Sequence, residues 1–260
     1  MASGSSARRF LMRAAGAASR RLERPELLAL LSAPARGAQR DQVAMTAVLA
    51  SALGGVGTYV DVGTNRGQVL GEAVRIAPRG SHLAFEPIPS LAAEVRAAFP
   101  TVECRQKALG ARPEVTEFCH FRALDGWSGL RRSPEISDER GDPEYITVEV
   151  STLDIELAGI LPRVVKIDVE GAELGVLEGG RAVLETARPL VIFEHVPAAA
   201  ELYGTAPGAV WELLSELGYE VFSITGEGPI PRTGFVAAAD TVNWLATPAG
   251  TPALEAAREG

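Results

Sequence analysis

The run Val164-Val165-Lys166-Ile167-Asp168-Val169-Glu170-Gly171-Ala172-Glu173 reads as a strand with Lys166, Asp168 and Glu170 on one side and Val165, Ile167 and Val169 on the other. Charges in a strand covered on both faces cost several kcal/mol unless paired, so these three belong near the strand's mouth and in mutual contact. A second run, Ile192-Phe193-Glu194-His195-Val196-Pro197, ends a strand on an acid and an imidazole. Lys166, Asp168, Glu170, Glu194 and His195 thus form a candidate proton-transfer group. His195 or Asp168 would take a hydroxyl proton, Lys166 would stabilise the developing alkoxide, and Glu170 and Glu194 would orient them. Asp168, Glu194 and His195 are also ligands of suitable type for a divalent cation, a variant of the same chemistry. A structural reading stands beside this one, with Lys166 paired to Glu170 or with Glu173 capping the next helix.

A different chemistry is written in Tyr59-Val60-Asp61-Val62-Gly63-Thr64-Asn65-Arg66-Gly67-Gln68. A strand that ends in Asp and turns through Gly, three residues and Gly into a helix is where an open α/β sheet takes a nucleotide-like ligand. The dinucleotide fingerprint needs a glycine two residues after Gly63, where Asn65 stands, and no Lys-Ser or Lys-Thr follows Gly67 to make a phosphate loop. What remains suits an adenosine with an amino-acid end, whose carboxylate meets the N–H groups of a helix start, which describes S-adenosylmethionine. Glu86, in Phe85-Glu86-Pro87 at a second strand end, is placed to accept from both ribose hydroxyls. An NAD-dependent oxidoreductase is the rival that the missing glycine disfavours. A non-catalytic cofactor-binding module is the rival that three costly strand charges disfavour.

These residues need elements to hold them. Strand patterns fall at 58–62, 81–85, 102–105, 164–168 and 190–194, with helical patterns at 68–76, 91–99 and 172–184 between them. That alternation predicts βαβ units and a parallel sheet covered on both faces. Two more β-like runs, 115–121 and 145–150, flank a polar loop and predict an inserted hairpin or edge addition. On that loop Trp127 and Ser128 are candidates for stacking on, or reaching, a ligand. A helix at 207–217 and strands at 219–224 and 241–246 follow, the last two pairing antiparallel for want of a helix between them. The fold class is α/β, an open Rossmann-like sheet, mostly parallel with one antiparallel C-terminal strand, preceded by a helical appendage at 1–54; the main domain is 55–260.

With 260 residues, 47% of them hydrophobic, and a mean hydropathy of +0.10, the chain has enough apolar material for one large core and is no disordered polymer. No apolar run approaches the ~18 residues of a membrane span, so no transmembrane segment is expected. The net charge of -8 divides unevenly, because residues 1–41 hold eight Arg against Glu23, Glu26 and Asp41. An acidic body argues against nucleic acid as a partner. The basic start is read as helical, with Arg stems covering apolar surface; a membrane-touching or site-capping segment is the sharper alternative. Arg8-Arg9 lacks the apolar stretch of an export signal, and Cys104 and Cys119 read as small buried hydrophobes, so a cytoplasmic protein is expected. Only Lys107 and Lys166 are lysines among 25 basic residues, and Lys166 already sits among the charged strand residues.

Taken together, Val60-Asp61-Val62-Gly63-Thr64-Asn65-Arg66-Gly67-Gln68, Phe85-Glu86-Pro87-Ile88-Pro89, Lys107-Ala108-Leu109-Gly110, Val150-Ser151-Thr152-Leu153-Asp154, the Lys166 to Glu173 run with Val176-Leu177-Glu178-Gly179, and Ile192-Phe193-Glu194 resemble the FkbM family of S-adenosylmethionine-dependent methyltransferases over about residues 58–195. The resemblance implies a class I methyltransferase fold and O-methylation of a sugar, glycoside or secondary-metabolite hydroxyl, with a small molecule or glycan as partner. It implies Asp61, Gly63, Asn65 and Gly67, with Thr64 in a place where the family commonly has Ala, around the methionine end. It implies Glu86 at the ribose and Ala108 near the adenine. It leaves the base, the metal and the oligomeric state open.

Overall fold

The computed structural model describes residues 33–121, 128–130, 144–238 and 241–251. The strands are β1 (Tyr59–Val62), β2 (Leu83–Phe85), β3 (Glu103–Arg105), β4 (Ala108–Leu109), β5 (Glu114–His120), β6 (Glu144–Ser151), β7 (Val164–Ile167), β8 (Leu190–Glu194), β9 (Tyr219–Ser223) and β10 (Asn243–Pro248). The helices are α1 (Ala33–Leu53), α2 (Gln68–Ile76), α3 (Pro89–Ala98), α4 (Leu153–Glu156), α5 (Glu173–Glu178), α6 (Arg181–Thr186), α7 (Pro197–Glu201), α8 (Ala209–Glu216) and α9 (Arg232–Ala237).

Seven strands form one sheet in the order β3-β2-β1-β7-β8-β10-β9. Neighbours run parallel from β3 to β8, and only β10 is antiparallel, to both β8 and β9. This is the open, Rossmann-like sheet that the alternation of strands and helices predicts. Strand order reverses between β1 and β7, so the helices leaving these strands go to opposite faces and open a crevice at their carboxyl ends.

Period-2 alternation divides the core between the faces. Tyr59, Val164, Ile192 and Leu245 pack with Ala47, Val48 and Leu49 of α1 and Leu70 of α2. Val60, Val165, Val191 and Phe193 pack on the other face with Val176 and Leu177 of α5 and Leu213 and Leu214 of α8. The C-terminal half of α1 is therefore built into the core of the sheet. Among the described residues no helix is long and apolar enough to cross a membrane.

Three local features differ from the sequence expectation. The helix expected at 172–184 is two helices, α5 and α6, broken at Gly179 and Gly180. A Cβ at Gly179 would meet the Gly110 carbonyl oxygen at 2.1 Å, so the backbone passes too close there for any side chain, and one at Gly180 would press on Leu153 Cδ2 at 2.7 Å. The hairpin of β5 and β6 forms as expected, but the two-residue β4 joins β6 in parallel, making a separate three-stranded sheet. The helices α4, α7 and α9 are too short to show a period in sequence. The 8–31 segment, which the sequence reads as helical, and Trp127 lie outside the described residues.

Candidate active site

The glycine turn after β1 is built by close approach. Gly63 has φ +79°, and a Cβ there would lie 1.8 Å from the Asp168 carbonyl oxygen. Its N–H and that of Thr64 donate to Phe85 O at 3.0 and 3.1 Å, tying the turn to the end of β2. The Thr64 hydroxyl donates inward, to Asp61 O at 3.0 Å, so it serves the turn. Asn65, at φ +50°, donates its N–H to Glu86 Oε2 at 2.8 Å, and Ile88 N–H donates to Glu86 Oε1 at 2.9 Å. Two backbone donors thereby fix the orientation of a buried carboxylate. Gly67 caps α2 at φ +76° under the Phe99 ring, and positions the helix without lining either cleft described below.

Two clefts open at this turn. The first encloses about 780 Å³, part of it open to solvent, and is walled by Ile88, Ala108, Leu109 and Phe118, with Glu86, Gly63 and Asn65 along one side. An apolar slot beside an oriented carboxylate suits a base and its ribose. Ser128 also lines it, although its Oγ accepts from Phe121 N–H at 3.0 Å. Lys107 lines it too, with its ammonium held by Glu149 at 2.7 Å and Glu156 at 3.2 Å.

The second cleft is the charged one. β1 and β7 pair with Asp61 opposite Lys166, on the face that carries α1 and α2. Lys166 Nζ is 2.9 Å from Asp168 Oδ2 and 3.7 Å from Asp61 Oδ1. Both clefts share Gly63, Asn65, Asp168 and Glu194, so the carboxylates stand where the two spaces meet. Glu170, held at φ +55° beyond the end of β7, joins Asp168 and Glu194 in a group in which one carboxylate oxygen from each lies within 4.8 Å of the others. Glu173, buried beneath, accepts Val169 N–H at 3.3 Å and Gly171 N–H at 3.0 Å, which secures the turn that presents Glu170.

Crowding sorts the protons among these acids. Burial pushes Glu194 up to about 9, with the charge of Asp168 and a hydrogen bond shared with it adding to the effect. Burial likewise raises Glu170 to about 8, helped by Asp168 and Glu173. Burial lifts Asp61 to about 6 against the pull of Lys166. For Asp168 burial alone would act upward, but the Lys166 charge and hydrogen bonds from Glu194 and Lys166 hold it below the ordinary carboxylate range. Burial would lower Lys166, yet Asp168 and Asp61 outweigh it and keep the ammonium charged. At neutral pH the group is therefore an ionised Asp168 between a cation and two protonated acids.

A pH dependence of stability follows. Glu170 and Glu194 have an ordinary value of 4.5 and folded values of about 8 and 9, so across that window the folded state holds protons the unfolded chain has released. Their contribution is complete below 4.5 and is lost as pH rises through the folded values. The melting temperature is expected to fall more steeply between pH 7 and pH 9 in the natural chain than in Glu194→Gln, whose amide fixes the neutral form. Equal slopes in thermal denaturation would contradict this.

His195 is not brought to this group. Alternation along β8 puts Glu194 with Ile192 on the α1 face and His195 with Phe193 on the other, where its ring stacks on Phe235 at 5.0 Å between centroids. It lines a small separate cleft with Pro197 and Thr205, and burial lowers its pKa. The divalent-ion set of Asp168, Glu194 and His195 is therefore split between faces, and among the described residues Asp168, Glu170 and Glu194 are the group whose carboxylate oxygens lie close enough together to hold an ion. An ion there would displace the protons of Glu170 and Glu194 and share Asp168 with the Lys166 ammonium.

Three residues of the second cleft had no distinguishing signal in the sequence: Asp41 and Gln42 on α1, and Asn243 on β10. The first two sit in an unremarkable amphipathic stretch, and only tertiary packing brings them here.

The methyltransferase FkbM domain family matches residues 61–221 of this chain. Among solved structures, methyltransferase FkbM from Methylobacillus flagellatus KT is similar at 14% identity over 74% of this chain, with a TM-score of 0.47; the match spans 43% of that protein's length. An O-methyltransferase from Bacillus cereus in complex with SAH is similar at 13% identity, over 93% of this chain and 89% of that one, with a TM-score of 0.40. A TehB-like SAM-dependent methyltransferase from Corynebacterium glutamicum follows at 11% identity, over 78% and 85%, with a TM-score of 0.41. No curated protein sequence matches this chain.

Proposed function

This chain belongs to the FkbM methyltransferase family, its domain running over residues 61–221, and we propose that it is an S-adenosylmethionine-dependent O-methyltransferase acting on a hydroxyl of a sugar, glycoside or secondary metabolite. The observation that carries the reading is the Asp168 carboxylate, 2.9 Å from Lys166 Nζ, at the meeting of two clefts, one of which sets an apolar wall of Ile88, Ala108, Leu109 and Phe118 beside the clamped Glu86 carboxylate. Gly63 and the clamped Glu86 carboxylate fit that cofactor, and the apolar wall fits its base.

Glu86 would accept from the ribose hydroxyls, Ala108, Leu109 and Phe118 would enclose the adenine, and Asp61, Gly63 and Asn65 would face the methionine end. When bound, S-adenosylmethionine supplies an electrophilic methyl group on a sulfonium centre. Asp168 would take the acceptor's hydroxyl proton as the oxygen bonds to the methyl carbon and the carbon–sulfur bond breaks with its electron pair going to sulfur, so that S-adenosylhomocysteine leaves and no positive charge stays on the oxygen. Lys166 keeps Asp168 ionised and stabilises alkoxide character. Glu170 and Glu194, as protonated acids, donate hydrogen bonds that orient Asp168 and the acceptor. Alignment of a hydroxyl in the shared wall supplies several kcal/mol of the rate enhancement on its own.

The test is incubation with methyl-labelled S-adenosylmethionine and a panel of hydroxylated sugars and glycosides. Label recovered as a methyl ether supports the reading, whereas label on nitrogen or carbon, or thermal stabilisation by NAD and not by S-adenosylhomocysteine, overturns it. EDTA tests the cation variant: unchanged turnover leaves Asp168 acting as a base alone, and loss restored by magnesium assigns an ion to Asp168, Glu170 and Glu194.

A further inference from the structure

The second cleft has a wall that lies outside the family domain. Asp41, Gln42 and Met45 of α1, upstream of residue 61, line it together with Asp61 and Lys166. Asn243, downstream of residue 221, lines it as well, and its Nδ2 donates to Asp41 Oδ2 at 2.9 Å across 202 residues of chain. The helix before the domain and the strand after it are thus joined by one hydrogen bond at the cleft.

The cleft's chemistry points to a ligand. Asp61 is 1% exposed and stands beside Tyr59 and Lys166, and its Oδ1 is 3.7 Å from Lys166 Nζ, beyond hydrogen-bond distance. A buried carboxylate oxygen with no partner at hydrogen-bond distance retains capacity to accept from a donor outside the chain. A group that carries an ammonium suits that carboxylate, whereas Lys166 is already held by Asp168 at 2.9 Å and needs no further anion.

We propose that α1 and Asn243 form a latch over the amino-acid end of the cofactor site. Asp41, held by Asn243, and Gln42 close the cleft in which Asp61 accepts the cofactor's ammonium. Asp41 is a positioning residue whose role is to hold α1 against β10. The inference rests on the methyl-donor reading above and adds to it that segments outside the family domain set cofactor affinity, and do so only for the amino-acid end.

Two ligands separate the ends of the site: S-adenosylhomocysteine, and 5′-methylthioadenosine, which keeps the adenosine and sulfur but lacks the amino-acid group. In calorimetric titration of the full chain, Asp41→Ala and Asn243→Ala are each expected to weaken S-adenosylhomocysteine about tenfold, as loss of a hydrogen bond at a charged group does. Binding of 5′-methylthioadenosine should be unchanged. The double variant should be no weaker than either single one, because both remove the same contact. Asp41→Asn retains an oxygen for Asn243 and should restore affinity. Unchanged S-adenosylhomocysteine binding, equal weakening of both ligands, or a change confined to the acceptor's KM overturns the latch. A natural chain that binds neither ligand overturns the methyl-donor reading itself.

Discussion

Asp168→Asn is expected to lower kcat about a thousandfold while S-adenosylhomocysteine affinity falls by less than about tenfold. General-base assistance is worth about 10² to 10⁴ in rate, and an amide of the same shape cannot take a proton. The substitution keeps an oxygen that can accept from Lys166 Nζ, now 2.9 Å from Oδ2, and Lys166 retains Asp61 at 3.7 Å, so the ammonium is not left alone. The loss should therefore sit in chemistry and not in folding, and rapid-quench measurement of a single turnover would locate it there. A kcat within tenfold of the natural chain would remove Asp168 from the base's role. His195→Ala, on the opposite face against Phe235, should leave the chemical step untouched.

Gly63→Ala is expected to abolish cofactor binding altogether and to lower stability by about 3 kcal/mol or more. The new methyl group would sit 1.8 Å from the Asp168 carbonyl oxygen, which belongs to the neighbouring chain segment and cannot rotate away as a side chain would. The ends of β1 and β7 must separate, and this moves Asp168 and breaks the turn that hands Asn65 N–H to Glu86. Gly159→Ala is the control. That glycine also has positive φ, at +80°, but a Cβ there meets nothing within 4 Å, so only the backbone strain of about 1 kcal/mol is paid. Thermal denaturation with and without S-adenosylhomocysteine distinguishes them, and a ligand-induced shift retained by Gly63→Ala would refute the close-approach argument.

Much of the fold was legible because period-2 and period-3.6 patterns are local. The strands at β1, β7 and β8 and the helix α2 follow from them, as does the antiparallel pairing of β9 and β10. The break between α5 and α6 was not legible, since Gly179 and Gly180 are dictated by Gly110 and Leu153, distant in sequence. The position of His195 was legible in principle. The alternation that places Lys166 and Asp168 together also sends Glu194 and His195 to opposite faces.

By itself the sequence determined the family, the sheet class and the residue types at three strand ends, because each is carried by short motifs whose geometry is set within one strand and one turn. Only the tertiary structure decided which acids share protons, which residue is excluded from the site, and that α1 closes it. Proton sharing depends on burial and on oxygens within 4.8 Å contributed by two strand ends. Closure depends on Asp41 meeting Asn243, and no local rule reaches across 202 residues.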